Sequence, residues 1–136
     1  MKLHRNYFKL LSITTAANTD QSGPALRILP SSEDNLRDGD QSFQLLALVG
    51  QNGGATSPSS KVKLQTSFDK TNWIDVLEST PVTTNGSRVE TKDTTPANTP
   101  LLTWIRAVSV LGGETKPNHT AEVWLVSDGP FSCKRS

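Results

Sequence analysis

The sequence predicts an all-β protein: a single antiparallel β-sandwich or jelly roll of about eight strands with an N-terminal arm. Three observations predict it. Apolar and polar residues alternate with a period of two in stretch after stretch, most clearly in Lys61–Leu77, KVKLQTSFDKTNWIDVL. Clusters of Gly, Pro, Asn, Asp and Ser separate these stretches at short intervals. Hydrophobic residues make up only 34% of the chain, and the Leu-, Ala-, Glu- and Lys-rich runs that helices need are missing. A chain of 136 residues suits one domain, 1–136, large enough to bury roughly two-thirds of its unfolded surface.

The head of the chain carries Lys2, His4 and Arg5, with Lys9 following, and residues 1–6 read as an extended basic arm. This segment imitates a secretory signal, but Lys9 and Ser12 interrupt the apolar core of roughly 7–15 residues that such a signal needs. Tyr7–Thr15 is the first predicted strand, and Ala25–Leu29 is the second, stopped by Pro30. Ser31–Asp40 is an acidic loop whose carboxylates do not follow the spacing of an EF-hand calcium loop. Ser42–Val49 is apolar enough for a central strand, and Gly50–Ser60 is a Gly/Ser/Pro loop.

In Lys61–Leu77, Val62, Leu64 and Thr66 alternate with polar neighbours, Asp69-Lys70-Thr71-Asn72 breaks the pattern as a turn, and Trp73–Leu77 returns. Asn85-Gly86 is the strongest hairpin dipeptide in the chain, leading into Ser87–Thr91, a modest strand near an edge. Lys92–Pro100 reads as a connection. Leu101–Leu111 and Ala121–Ser127 are the last two strands. The first is apolar on both sides, with Trp104, Arg106, Val108 and Val110 opposite Ile105, Ala107 and Ser109, which predicts a strand covered twice or touching another subunit. Residues 132–136 read as a flexible tail, and Cys133 as an incidental thiol. The glycosylation-like triplets at Asn85 and Asn118 read as turn residues.

Formal net charge is +1, which asks for neither nucleic acid nor an anionic membrane. No apolar stretch approaches the about 18 residues of a membrane span. Two histidines, His4 and His119, and one cysteine do not make a zinc ligand set. No nucleophile elbow, phosphate loop or dinucleotide fingerprint is present. Glu78, Glu90 and Glu122 are available carboxylates, but nothing in their spacing pairs them for glycoside hydrolysis. The chain therefore reads as a non-enzyme without cofactor or metal. Its tryptophans have two readings, core packing or exposed platforms. Trp73 is assigned to the core, while Trp104 and Trp124, which share faces with Arg106 and Glu122, are open to either.

Ser67–Trp73, SFDKTNW, resembles the S-x-D-G-x-x-W hairpin of discoidin-like carbohydrate-binding domains and small virion proteins of tailed bacteriophages. Lys70 replaces the usual Gly, so the turn type can differ. Trp104–Gly113, WIRAVSVLGG, resembles the penultimate strand of fibronectin type III domains, with the aromatic-x-x-x-A-x-N pattern partly present. The whole layout, with its polar N-terminal arm, Thr/Ser/Gly-rich sandwich, S-x-D-x-x-x-W hairpin and the ending VWLVSDGPF, resembles head decoration or cement proteins of tailed bacteriophages, diffusely over Lys61–Phe131.

That resemblance implies a virion protein on the outer capsid surface, made in the host cytoplasm. It also implies a homo-oligomer, a trimer before other states, that contacts the major capsid protein or other virion subunits. The contact residues it points to are Lys2, Arg5, Tyr7 and Phe8 in the arm, then Trp104, Arg106 and Trp124. A carbohydrate-binding module with exposed tryptophans is the alternative from another class, and a phage tail, neck or adaptor component is a third.

Overall fold

The structure, a computed structural model, describes residues 6–30, 43–52, 58–93, 101–113, 116–127 and 131–134. The described residues form nine strands and no helix: β1 (Asn6–Ala17), β2 (Leu26–Pro30), β3 (Phe43–Asn52), β4 (Ser59–Ser67), β5 (Ile74–Glu78), β6 (Gly86–Asp93), β7 (Trp104–Gly112), β8 (Asn118–Ser127) and β9 (Phe131–Lys134). Two antiparallel sheets pack face to face, as the alternation predicts. Sheet A has the order β1-β8-β3-β6, and sheet B the order β5-β4-β7-β2-β9.

Alternation sorts each long strand into an inner and an outer row. Leu45, Ala47 and Val49 of β3 and Ala121, Val123 and Leu125 of β8 face inward from sheet A. Val62 and Leu64 of β4 and Ile105 and Ala107 of β7 meet them from sheet B, and the core closes around Leu10, Leu26, Val76 and Cys133. The chain changes sheet at every link between consecutive strands except β4–β5. The hairpin in Lys61–Leu77 is thus the one local pairing, and the other strand neighbours are distant in sequence.

Several expectations are revised. Asn85-Gly86 does not close a hairpin: Val82 bridges Ser60 of sheet B, and the chain then crosses to enter β6 of sheet A. Gly86 takes φ +136°, a conformation open to glycine. Residues 132–134 of the predicted flexible tail are structured, because β9 pairs with β2 and carries Cys133 into the core. Burial pushes the Cys133 thiol up to about 11, so it is an inert core group. Tyr7 and Phe8 lie in β1, in register with Val126 and Leu125, where the first predicted strand has them and not in the arm to which the expected contact set assigns them. His119 lies inside the sandwich within β8, where a turn was expected. Lys2, Arg5 and the Ser31–Asp40 loop lie outside the described residues, as does the middle of the Gly50–Ser60 loop.

β7 runs through the middle of sheet B with an unusual neighbour. Gln21–Gly23 continues alongside it past the end of β2: the Ser109 N–H donates to the Gln21 carbonyl (2.7 Å) and the Gly23 N–H to the Ala107 carbonyl (2.8 Å). The Gln21 N–H donates to Ser109 Oγ (2.8 Å), and the Leu111 N–H to Asp20 Oδ1 (3.0 Å). Backbone groups of β7 that would face the open seam are satisfied in this way.

Candidate binding faces

The hairpin turn explains its own residues. Asp69 Oδ1 accepts the N–H groups of Asn72 (2.8 Å) and Thr71 (2.9 Å) and the Ser67 hydroxyl (2.9 Å), while Asn72 Nδ2 donates to Oδ2 (2.8 Å). These donors, the Asn72 and Thr71 N–H groups foremost, hold the Asp69 carboxyl well below the usual carboxylate range. Lys70 adopts φ 65°, a left-handed conformation that favours glycine, the usual residue at this position of the motif the turn resembles. A depressed native pKa makes the contribution of Asp69 to stability complete above its ordinary value of 3.8. That contribution is lost as pH falls through the depressed value. Asp69→Asn is expected to be less stable than wild type near neutral pH, with the gap narrowing toward about pH 2 in urea titrations. A gap independent of pH would contradict the hydrogen-bond assignment.

The turn also positions the outer face of sheet B. Trp73 lies on that face, contrary to its assignment to the core. It precedes β5, and the Arg106 guanidinium sits 4.2 Å from its ring centroid. Lys70 Nζ lies 4.4 Å over Trp104. Arg106 Nε donates to Gln65 Oε1 (2.8 Å), Gln65 Nε2 to Asp75 Oδ1 (2.8 Å) and Lys63 Nζ to Asp75 Oδ2 (3.0 Å). Hydrogen bonds from Gln65 and then Lys63 lower the Asp75 pKa against the opposing effect of burial. The face is a polar and cation–π ladder whose members are already partnered.

The outer face of sheet A differs. Cross-strand register sets Trp124 beside Lys9 on one side and Leu46 on the other, and Leu48 beside both Glu122 and Val89. Tyr7 packs edge-on against Trp124, with ring centroids 5.5 Å apart, and Lys9 Nζ sits 4.8 Å over the same indole and 3.6 Å from Glu122. Tyr7 is 62% exposed, Leu48 37% and Val89 66%. An apolar band therefore crosses sheet A from β1 to β6, and among the described residues one ion pair, Lys9–Glu122, lies beside it on this face.

The contact residues read from the sequence thus divide. Tyr7 and Trp124 lie on the outer face of sheet A, Trp104 and Arg106 on the outer face of sheet B, and Phe8 packs on the core between them. Sequence reasoning missed Leu48 and Val89. Leu48 hid inside an apolar run, although its even number in a strand whose odd residues are core marks it as outward-facing.

Ser109 and His119 form a buried Ser–His contact, with Oγ 2.9 Å from Nε2. Both are closed to solvent, and Ser109 Oγ also accepts the Gln21 N–H, so the hydroxyl serves as a structural link. Nearby, Ser60 Oγ donates to Gln51 Oε1 (2.7 Å), which leaves Gln51 Nε2 buried without a hydrogen-bond partner. No group of three or more His, Cys, Asp or Glu side chains among the described residues is placed to hold a metal ion. A groove of about 400 Å³ runs beside β1, lined by Phe8, Leu10, Pro24, Leu26 and Cys133 among others, without convergent catalytic groups. The sequence matches no protein-family model and no curated protein.

Proposed function

We propose that this chain is a structural adhesive module: a virion decoration protein of the tailed-bacteriophage type that seats the outer face of sheet A on a capsid lattice. The observation that carries this reading is the apolar band formed by exposed Tyr7, Leu48 and Val89 and half-buried Leu46 and Trp124 on one face of sheet A. Burying such a band against neighbouring capsid subunits adds interface energy that must be overcome to separate them. Many copies on one lattice multiply the effect. The sheet B face suits the solvent side, since its charges and rings already satisfy one another. A glycan-binding module needs open indole faces, whereas Lys9, Lys70 and Arg106 each lie over one of the three indoles.

The test is occupancy on purified heads assembled without this chain. Leu48→Glu and Tyr7→Ser remove exposed apolar area without opening the core, and each is expected to lower affinity for heads at least about tenfold. Gln65→Ala on the opposite face is expected to leave occupancy unchanged. Equal binding by Leu48→Glu and wild type would overturn the assignment of the face.

A further inference from the structure

We propose that β6 pairs with β6 of a second copy of this chain, antiparallel, about a two-fold axis through Val89. Among the described residues β6 is the outermost strand of sheet A and pairs only with β3. It spans Gly86–Asp93 with no proline and an unbroken register against β3. The other sheet edges are less suited to pairing. β5 is short and its register with β4 shifts, β9 has 4 residues, and β1 is interrupted by register shifts at Lys9/Leu11 and Ile13/Ala17. The apolar band of sheet A also runs out to this edge at Val89.

Charge selects the partner and the register. Residues opposite one another in an antiparallel ladder face the same side, so a two-fold axis normal to the sheet must pass midway between the two copies of one residue. Centring on Arg88 sets Arg88 against its own copy, and centring on Glu90 sets Glu90 against its copy and Arg88 against Lys92. A centre at Ser87 or Thr91 leaves much of the strand unpaired. A centre at Val89 places Arg88 opposite Glu90 of the second copy twice, Ser87 opposite Thr91, and Val89 opposite itself.

Glu90 is held in place at this edge. Its carboxylate is fixed by the Thr80 N–H (2.9 Å) and hydroxyl (3.0 Å), with Arg88 Nε and Lys92 Nζ each 3.7 Å away. The resulting assembly is an isologous dimer with one continuous sheet and one continuous apolar band, where the resemblance to decoration proteins implied a trimer. It needs no lattice, so its test is independent of capsid attachment, although Val89 belongs to both surfaces.

Sedimentation velocity of the full chain over a concentration series is expected to show a monomer–dimer equilibrium. Val89→Lys puts like charges opposite at the axis and is expected to weaken the dimer by about tenfold or more. Because Val89 is exposed, the monomer should keep its unfolding midpoint. Cysteine pairs fix the register: under diamide, Val89→Cys is expected to give a disulfide dimer, whereas Ser87→Cys or Thr91→Cys alone is not. A mixture of Ser87→Cys and Thr91→Cys is expected to cross-link. A monomer at every concentration, a trimer unaffected by Val89→Lys, or self-cross-linking at Ser87→Cys would overturn the proposal.

Discussion

Gly23→Ala is expected to lower the unfolding free energy by roughly 2–4 kcal/mol, a large effect for adding one methyl group. A Cβ at this position would lie 2.4 Å from the Leu10 carbonyl oxygen and 3.2 Å from that of Ala107. Both obstacles are backbone, in β1 of one sheet and β7 of the other, so neither can rotate away. Relief requires the Gln21–Gly23 segment to retreat from β7, which breaks the Gly23–Ala107 hydrogen bond and strains the Ser109–Gln21 bond. Gly50→Ala is the internal control. Its new Cβ would meet Thr120 Oγ1 at 2.8 Å, the end of a side chain, and the cost should be clearly smaller. Guanidinium denaturation of both variants decides the point, and equal losses would contradict the close-packed seam at Gly23.

Leu125→Ala is expected to cost about 2–5 kcal/mol, in the upper part of that range. Leu125 is fully buried on β8, flanked in register by Phe8 of β1 and Leu45 of β3. β8 has a strand on each side, so the backbone cannot collapse into the space that truncation leaves. Thermal and denaturant unfolding should agree on the loss. A cost below about 1 kcal/mol would mean that the two sheets pack loosely at this level.

The strands were legible in the sequence wherever one face is core and the other is wet, because that contrast writes the period of two into β3, β4, β7 and β8. The partnering of strands was not legible, since nearly every link crosses between sheets and local turn chemistry does not encode the destination. Asn85-Gly86 shows this: its glycine conformation is real, yet the Val82–Ser60 bridge sends the chain to the other sheet. β9 escaped notice because four residues are too few for a pattern.

Trp73 was misplaced for a related reason. Its position before β5 and the presence of Arg106 on the neighbouring sheet surface, not its size, decide that its ring stays outside. His119 was readable: it continues the odd-numbered inner row of Ala121, Val123 and Leu125. Of the proposed binding face, Trp124 and Tyr7 stood out as aromatics. Leu48 and Val89 acquire meaning only once β3 and β6 are known to lie side by side.

A reconstruction of a particle carrying this chain tests its proposed role most directly. The prediction is density on the outer head surface with Tyr7, Leu48 and Trp124 of sheet A against the capsid subunits, and Trp73 and Arg106 of sheet B toward solvent. Density with sheet B against the lattice, or a particle surface on which the chain is absent, would contradict it.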